Sequence, residues 1–285
     1  MSAPTIIGIP ECGLCLAFEG EPGAGALRLL HLSPLPFNPA SIPAPEEMRR
    51  RFSAVEVHCA GEDQADFHGA KHLASNPGGN AGAPVYESFE ESRTAFGRRL
   101  KFIQSAGALS ISSFYQFFDG LPVVRSWTAL ENNGNTPIPL EYVSSFALTG
   151  LTKDNEETWD KACRIHLPFN SWMQELQWRD FAISDLGLSR MHSAAISTRR
   201  IAFSGTGGHA AKEMMPAGCL EDKSSGLVHC WQIETHGSWA WELSDSADKL
   251  YLQHSVPTER ENQWFKSLKP GEKFESLPVA IAILK

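Results

Sequence analysis

The sequence has no excess of basic charge. Lysine and arginine number 25 against 33 aspartates and glutamates, a formal net charge of −8. Phosphate binding needs the opposite balance, so nucleic acid is not an expected partner. There is no run of about 18 apolar residues, so no transmembrane helix and no membrane partner are expected. The opening Met1-Ser-Ala-Pro-Thr-Ile-Ile-Gly-Ile-Pro10 lacks a basic segment followed by a long apolar one. No secretory signal is visible there; a cytoplasmic location is the expectation, and a processed, secreted form is the alternative. Cysteine is sparse, with six in the chain, and a chain of this length does not need them as a disulfide framework. Cys12-Gly-Leu-Cys15 is a CxxC. Its zinc reading requires a second such pair, which the sequence does not have, so a structural or incidental role is expected. Gly205-Thr-Gly-Gly208 lacks the Lys-Ser/Thr of a phosphate cradle and reads as a turn. No Ser-His-Asp or Cys-His order stands out. Neither a metal nor a cofactor is expected.

Long helical periodicities are missing too; strand signals are what the sequence has. Runs rich in Val, Ile, Phe, Trp and Tyr lie at Leu27–Leu32, Phe52–His58, Leu100–Ile103, Leu109–Phe118, Val123–Leu130 and Leu140–Leu148. Others lie at Arg199–Phe203, Val228–Glu234, Ser238–Leu243, Lys249–Gln253 and Pro278–Leu284. In Ser238–Leu243, Trp239, Trp241 and Leu243 fall on one face and Ser238, Ala240 and Glu242 on the other. Turn chemistry separates the runs at Asp119-Gly120, Asn132-Asn-Gly-Asn135 and His236-Gly237, the last well placed for a tight hairpin. Helical patterns are short: Pro45–Arg51, Glu156–Ala162 and Glu259–Ser267. The proline-dense Ser33–Ala44, the Gly/Asn/Ala-rich His72–Ala83 and the stretch from Ala162 to Leu188 read as irregular. Residues 1–285 are therefore expected to form a single all-β domain, a large two-sheet antiparallel β-supersandwich with a few short helices.

Three groups of segments resemble glycoside hydrolase family 36, the α-galactosidases. The first is Val55-Glu-Val-His-Cys-Ala-Gly-Glu-Asp-Gln-Ala-Asp-Phe-His-Gly-Ala-Lys-His72. The second is Gly120-Leu-Pro-Val-Val-Arg-Ser-Trp127 with Glu131-Asn-Asn-Gly134 and Leu140-Glu-Tyr-Val-Ser-Ser-Phe146. The third starts at Lys212-Glu-Met-Met-Pro216 and includes Trp231-Gln-Ile-Glu-Thr-His-Gly-Ser-Trp239, Leu250-Tyr-Leu252, Pro257-Thr-Glu259 and Leu268-Lys-Pro-Gly-Glu272. The segments stand in the family's order over about residues 25–283. The resemblance implies the amino-terminal β-supersandwich that precedes a (β/α)8 barrel in enzymes that hydrolyse α-galactosides such as melibiose and raffinose with retention. In that family two aspartates on the barrel supply nucleophile and acid/base. No eightfold strand–helix alternation occurs in these residues, so the barrel is expected to be absent from them and no catalytic residue is carried over.

The resemblance implies a role for Arg164-Ile-His-Leu-Pro-Phe-Asn-Ser-Trp-Met-Gln-Glu-Leu-Gln-Trp-Arg179, which is similar to the family's sandwich loop that reaches toward the sugar pocket. Trp172 stands at the family's tryptophan position, and Trp178 and Arg179 are further candidate substrate-binding residues. An aromatic face suits sugar C–H groups and flanking polar groups fix hydroxyls; the plain alternative is that the tryptophans pack the segment. The implied partners are α-galactoside sugars, weakly or through the barrel, and a homo-oligomer is the candidate assembly. His68 and His72 stand at metal-ligand spacing, but Gly69 argues for a loop. Trp231, Trp239 and Trp241 read as core, which alone accounts for them at about 2–3 kcal/mol each when fully buried. Two alternatives remain open: a stand-alone carbohydrate-binding or protein-interaction sandwich, and a mutarotase-like sugar epimerase using a pair such as His166 with Glu175 or Glu234. A domain shaped to lie against a barrel would expose an apolar face on its own, so that face is expected either to be covered by self-association or to carry polar substitutions.

Overall fold

A computed structural model describes residues 5–42, 49–61, 71–73, 84–152, 158–190, 199–246 and 248–285. The amino-terminal part contains β1 (Ile6–Glu11), β2 (Leu14–Glu19), β3 (Arg28–Ser33) and β4 (Val57–Cys59). Five long strands follow: β5 (Val85–Arg93), β6 (Arg98–Ala106), β7 (Leu109–Phe118), β8 (Leu121–Asn132) and β9 (Ile138–Thr149). A short helix α1 (Trp159–Ala162) leads to β10 (Cys163–Ser171), β11 (Gln174–Ala182), β12 (Ile201–Gly205), β13 (Ala217–Asp222) and β14 (Leu227–Ile233). The chain then forms β15 (Trp239–Ser246), β16 (Lys249–Ser255), α2 (Glu259–Asn262), β17 (Lys266–Leu268), β18 (Lys273–Glu275) and β19 (Val279–Leu284).

Two large antiparallel sheets and one small one result, so the fold is all-β as the alternation implied. The ten-stranded sheet runs β11-β10-β13-β14-β19-β8-β7-β6-β5, with β18 beside β8. The six-stranded sheet runs β12-β15-β16-β9-β17, with β4 also on β9. The third sheet is β1-β2-β3. The core lies between their facing sides, where Phe18, Phe102 and Phe117 meet Phe146, Trp231, Trp239, Trp241 and Leu252. Trp231 and Trp241 pack edge to face at 5.1 Å between ring centroids, one from each large sheet. The tryptophans therefore have the core role expected of them.

Several sequence expectations need correction. His236-Gly237 does not close a hairpin: β14 pairs with β13 and β19, while β15 pairs with β12 and β16, so this turn carries the chain from one sheet to the other. The Ala162–Leu188 stretch is not irregular; it is mainly the β10–β11 hairpin followed by a 3-10 turn at Ile183–Leu186. Phe52–His58 is divided between a 3-10 turn at Arg50–Phe52 and β4. The Glu259–Ser267 pattern yields only α2 before β17 begins. Cys12-Gly13 is the two-residue turn of the β1–β2 hairpin, with both residues at positive φ (50° and 81°), the geometry that matches strand twist. Most of Pro45–Arg51, the first part of Glu156–Ala162, Asp154–Glu157 and His68 lie outside the described residues. No helix among the described residues is long and apolar enough to cross a membrane.

Candidate functional site

The β10–β11 hairpin forms one edge of the ten-stranded sheet. Ser171 pairs with Gln174, so Trp172 and Met173 make the turn, and Met173 takes a left-handed φ of 60°. Asn170 anchors the tip: its Nδ2 donates to the Ala211 carbonyl at 2.7 Å and its Oδ1 accepts from the Leu176 amide at 2.7 Å. Leu176 is itself left-handed, at φ 53°. That unusual backbone is held by the side-chain acceptor of Asn170, a cap available to Asn and not to an apolar residue. The base of the hairpin is fixed by Phe169 and Phe181, whose rings meet edge to face at 6.2 Å on the core side.

The tip is apolar and uncovered. Trp172 is 88% exposed, Met173 81%, Leu176 54% and Trp178 46%. The three candidates from the sequence are on one hairpin but do not converge. Trp178 pairs with Pro168 and Arg179 with Leu167, so the two neighbours point to opposite faces of the strand. Arg179 donates to the carbonyl of Trp178, at 3.1 Å, and to no other group among the described residues. Asp180, on the Trp178 face, is held by Arg164, whose Nε donates to it at 2.9 Å and whose charge keeps its carboxyl below the usual range.

The pairing of His166 with Glu175 or Glu234 does not occur. His166 approaches Glu221 at 3.3 Å, Glu234 accepts from Arg125 at 2.8 Å, and Glu175 sits on the exposed hairpin strand. A different His–Glu cluster, missed in the sequence, occupies the outer side of the six-stranded sheet. On β15 both faces are buried, so the face carrying Glu242 is covered and not solvated. The Glu242 carboxylate accepts four hydrogen bonds. The His72 amide and ring Nδ1 each donate at 2.9 Å, the Tyr251 hydroxyl at 2.8 Å and Arg200 Nη1 at 3.1 Å. Arg200 reaches on to Glu261. The His72 ring stacks on Tyr142 at 4.3 Å, and the Tyr142 hydroxyl donates to Gln253 at 2.8 Å.

The electrostatics of this cluster are those of a filled anion site. Burial alone would raise the Glu242 carboxyl, but His72 and Arg200 outweigh it and hold it at about 2. Burial lowers the His72 imidazole against the opposing pull of Glu242, and its Nδ1 faces the carboxylate as a donor. Burial also pushes both tyrosine hydroxyls well above their ordinary value. A carboxylate with about four lone-pair positions and four donors has no capacity left for substrate. The signal available in the sequence was the polar side of Ser238–Leu243; of the partners of Glu242, Tyr251 is 9 residues away, but Arg200 and His72 are 42 and 170 away, beyond any spacing rule.

One further group of potential ligands, Glu11, Cys12 and Asp119, lies at the β1–β2 turn. Arg98 reaches Glu11 at 3.3 Å and Arg93 engages Asp119, so both carboxylates already have cationic partners.

This combination, two large packed antiparallel sheets with an apolar hairpin projecting from one edge, defines the fold class: an all-β supersandwich. Among solved structures, the chain superposes on a family 36 α-galactosidase from Geobacillus stearothermophilus with a TM-score of 0.71, at 13% identity, over 99% of this chain and 41% of that one. The α-galactosidase from Lactobacillus brevis matches with a TM-score of 0.69, at 11% identity, over 100% and 40%. The chain thus has the fold of the amino-terminal β-sandwich domain of these enzymes and spans about two fifths of their length. A putative aldose 1-epimerase from Escherichia coli matches more loosely, with a TM-score of 0.53 at 10% identity, but over 99% of both chains. No protein-family model and no curated protein matches the sequence.

Proposed function

We propose that this chain is the non-catalytic sandwich unit of an α-galactosidase. In this reading it presents the Trp172 hairpin to a galactoside pocket whose catalytic carboxylates lie on another domain. The observation that carries the reading is the hairpin tip. Four large apolar side chains stand exposed on a hairpin whose tip Asn170 anchors, although burying each would contribute about 1.5–3 kcal/mol. An exposed aromatic beside polar groups suits a sugar's apolar face and hydroxyls. An uncovered apolar tip also suits a surface that meets a neighbouring domain or subunit.

Two measurements test this. The purified chain is expected to show no turnover of a chromogenic α-galactoside; robust hydrolysis abolished by a point mutation within the chain overturns the non-catalytic assignment. Titration with raffinose or galactose, read by tryptophan fluorescence, is expected to give a saturable change that Trp172→Ala removes. An identical response from Trp172→Ala and the parent chain overturns the sugar-facing role of Trp172.

The whole-chain superposition on the putative aldose 1-epimerase favours a second reading, sugar epimerisation at His72 and Glu242. The geometry supports it less. An acid and a base must flank the sugar, whereas these two are bonded to each other at 2.9 Å with Glu242 fully engaged. A galactose anomer-interconversion assay at the buffer rate removes this reading; acceleration lost in Glu242→Gln would establish it over the first.

A further inference from the structure

Cys219 and Cys230 face each other across β13 and β14 as direct register partners. Opposed residues of an antiparallel pair have Cα atoms roughly 4.5–5.5 Å apart, inside the span a disulfide requires. The two thiols already touch, with Cys219 Sγ donating to Cys230 Sγ at 2.7 Å. Both are partly exposed, in contrast to the buried Cys59 and Cys163. They lie in one cross-sheet row, with His166 of β10 paired to Cys219 and Ala282 of β19 paired to Cys230. The row's side chains are half-buried and lie on the face away from the core, because the alternate residues Leu220 and Trp231 fill the core. A low-molecular-weight oxidant therefore has access to the pair. Cys12 and Cys15 differ: Cys12 sits in the turn and Cys15 pairs with Pro10, so they are not cross-strand partners.

We propose that Cys219 and Cys230 are a reversible thiol–disulfide site, closed by a small-molecule disulfide such as oxidised glutathione and reopened by a thiol. One thiol of the pair donates to the other sulfur and so favours its thiolate, which is the attacking form. That thiolate attacks one sulfur of the oxidant, breaking the oxidant's S–S bond and releasing one thiolate, which takes up the proton lost by the attacking cysteine. The second cysteine, losing its proton, then attacks the first one's Sγ in the mixed disulfide and releases the second thiol. The protein pair loses two electrons and two protons, and the oxidant disulfide becomes two thiols. The cross-link ties β13 to β14 one strand away from the β10–β11 hairpin. It does not depend on the proposed function.

The test uses the full chain, reduced and freed of reductant, incubated with oxidised glutathione, quenched with N-ethylmaleimide, digested and analysed by mass spectrometry. The expected product is a peptide pair joined through Cys219 and Cys230, with the other four of the six cysteines alkylated. In at least one of Cys219→Ser and Cys230→Ser the reaction is expected to stop at a glutathione adduct on the remaining cysteine of the pair. Recovery of both Cys219 and Cys230 as alkylated thiols overturns the proposal, as does a cross-link joining either one to a different cysteine. If Cys230 in a Cys219→Ser chain and Cys219 in a Cys230→Ser chain both remain fully alkylated, neither sulfur attacks the oxidant and the proposal is overturned.

Discussion

Replacing Glu242 with glutamine removes a charge and almost no volume, so it isolates the worth of the buried anion. Glu242 is 2% exposed and accepts from the His72 amide and ring, Tyr251 and Arg200. The amide of Gln offers one acceptor oxygen and two donor hydrogens. At least one of the four existing donors then faces another donor, and Arg200 loses its second counter-charge. Breaking a buried pair by removing one partner costs about 3–5 kcal/mol. The pKa gives an independent figure: holding the carboxyl at about 2 against 4.5 corresponds to about 3 kcal/mol of stability. Because the folded pKa is depressed, that stability is fully present above pH 4.5 and is lost as pH falls toward about 2. Urea unfolding followed by circular dichroism is the assay. With an m-value of about 3 kcal/mol/M, the midpoint is expected to fall by about 1 M at pH 7. At pH 3.5 the gap between the two proteins is expected to be narrower by about 1.4 kcal/mol. A Glu242→Gln chain within about 0.5 kcal/mol of the parent at pH 7, or a gap that stays constant with pH, refutes the reasoning.

Trp172→Ala is expected to leave stability within about 0.5 kcal/mol, since the side chain is 88% exposed; a thermal melt checks this and separates its binding effect from folding. Gly205→Ala is expected to destabilise the chain strongly, because a Cβ there would stand 2.0 Å from the Ala210 carbonyl oxygen and 2.5 Å from Trp239 Nε1; a lowered urea midpoint is the readout. His229 is fully buried and its imidazole is lowered by burial to about 4. Between about pH 6.5 and 4 the unfolded chain binds its proton and the folded one does not, so stability is lost as pH falls through that window, by up to about 3 kcal/mol. His229→Gln is expected to flatten that part of the urea-midpoint-versus-pH curve.

The long central strands were legible because their alternation is strong: in β6 and β7 nearly every second residue is buried. The β10–β11 hairpin was not, for two physical reasons. Its outer strand Gln174–Ala182 is exposed on both faces over most of its length and so has no period-two pattern, and its turn is Trp172-Met173, without glycine or a polar turn residue. His236-Gly237 misled for the opposite reason. The dipeptide does make a tight local turn, with the Gly237 amide donating to Thr235 Oγ1 at 2.9 Å, but both edges of β14 are already taken, by the preceding strand β13 and by the distant β19. Trp172 was singled out through the resemblance of its segment to the family's sandwich loop, and no pattern in its neighbours marked it as exposed. The Glu242 cluster was not, because His72, Arg200 and Tyr251 reach it from three separate segments.

The hairpin's irregular edge bears on how anything attaches to it. A straight edge strand with free amides and carbonyls is a template for one more strand, and proteins guard such edges with bulges and charges. Here the ladder shifts between Phe169 and Ser171, Leu176 turns left-handed, and Glu175, Arg179 and Asp180 punctuate the strand. Strand addition along this stretch is therefore disfavoured, and with it open-ended growth of one sheet into the next. A neighbour is left with the side chains to grip, chiefly the indole of Trp172, so recognition there depends on shape and not on backbone pairing that any extended segment could imitate.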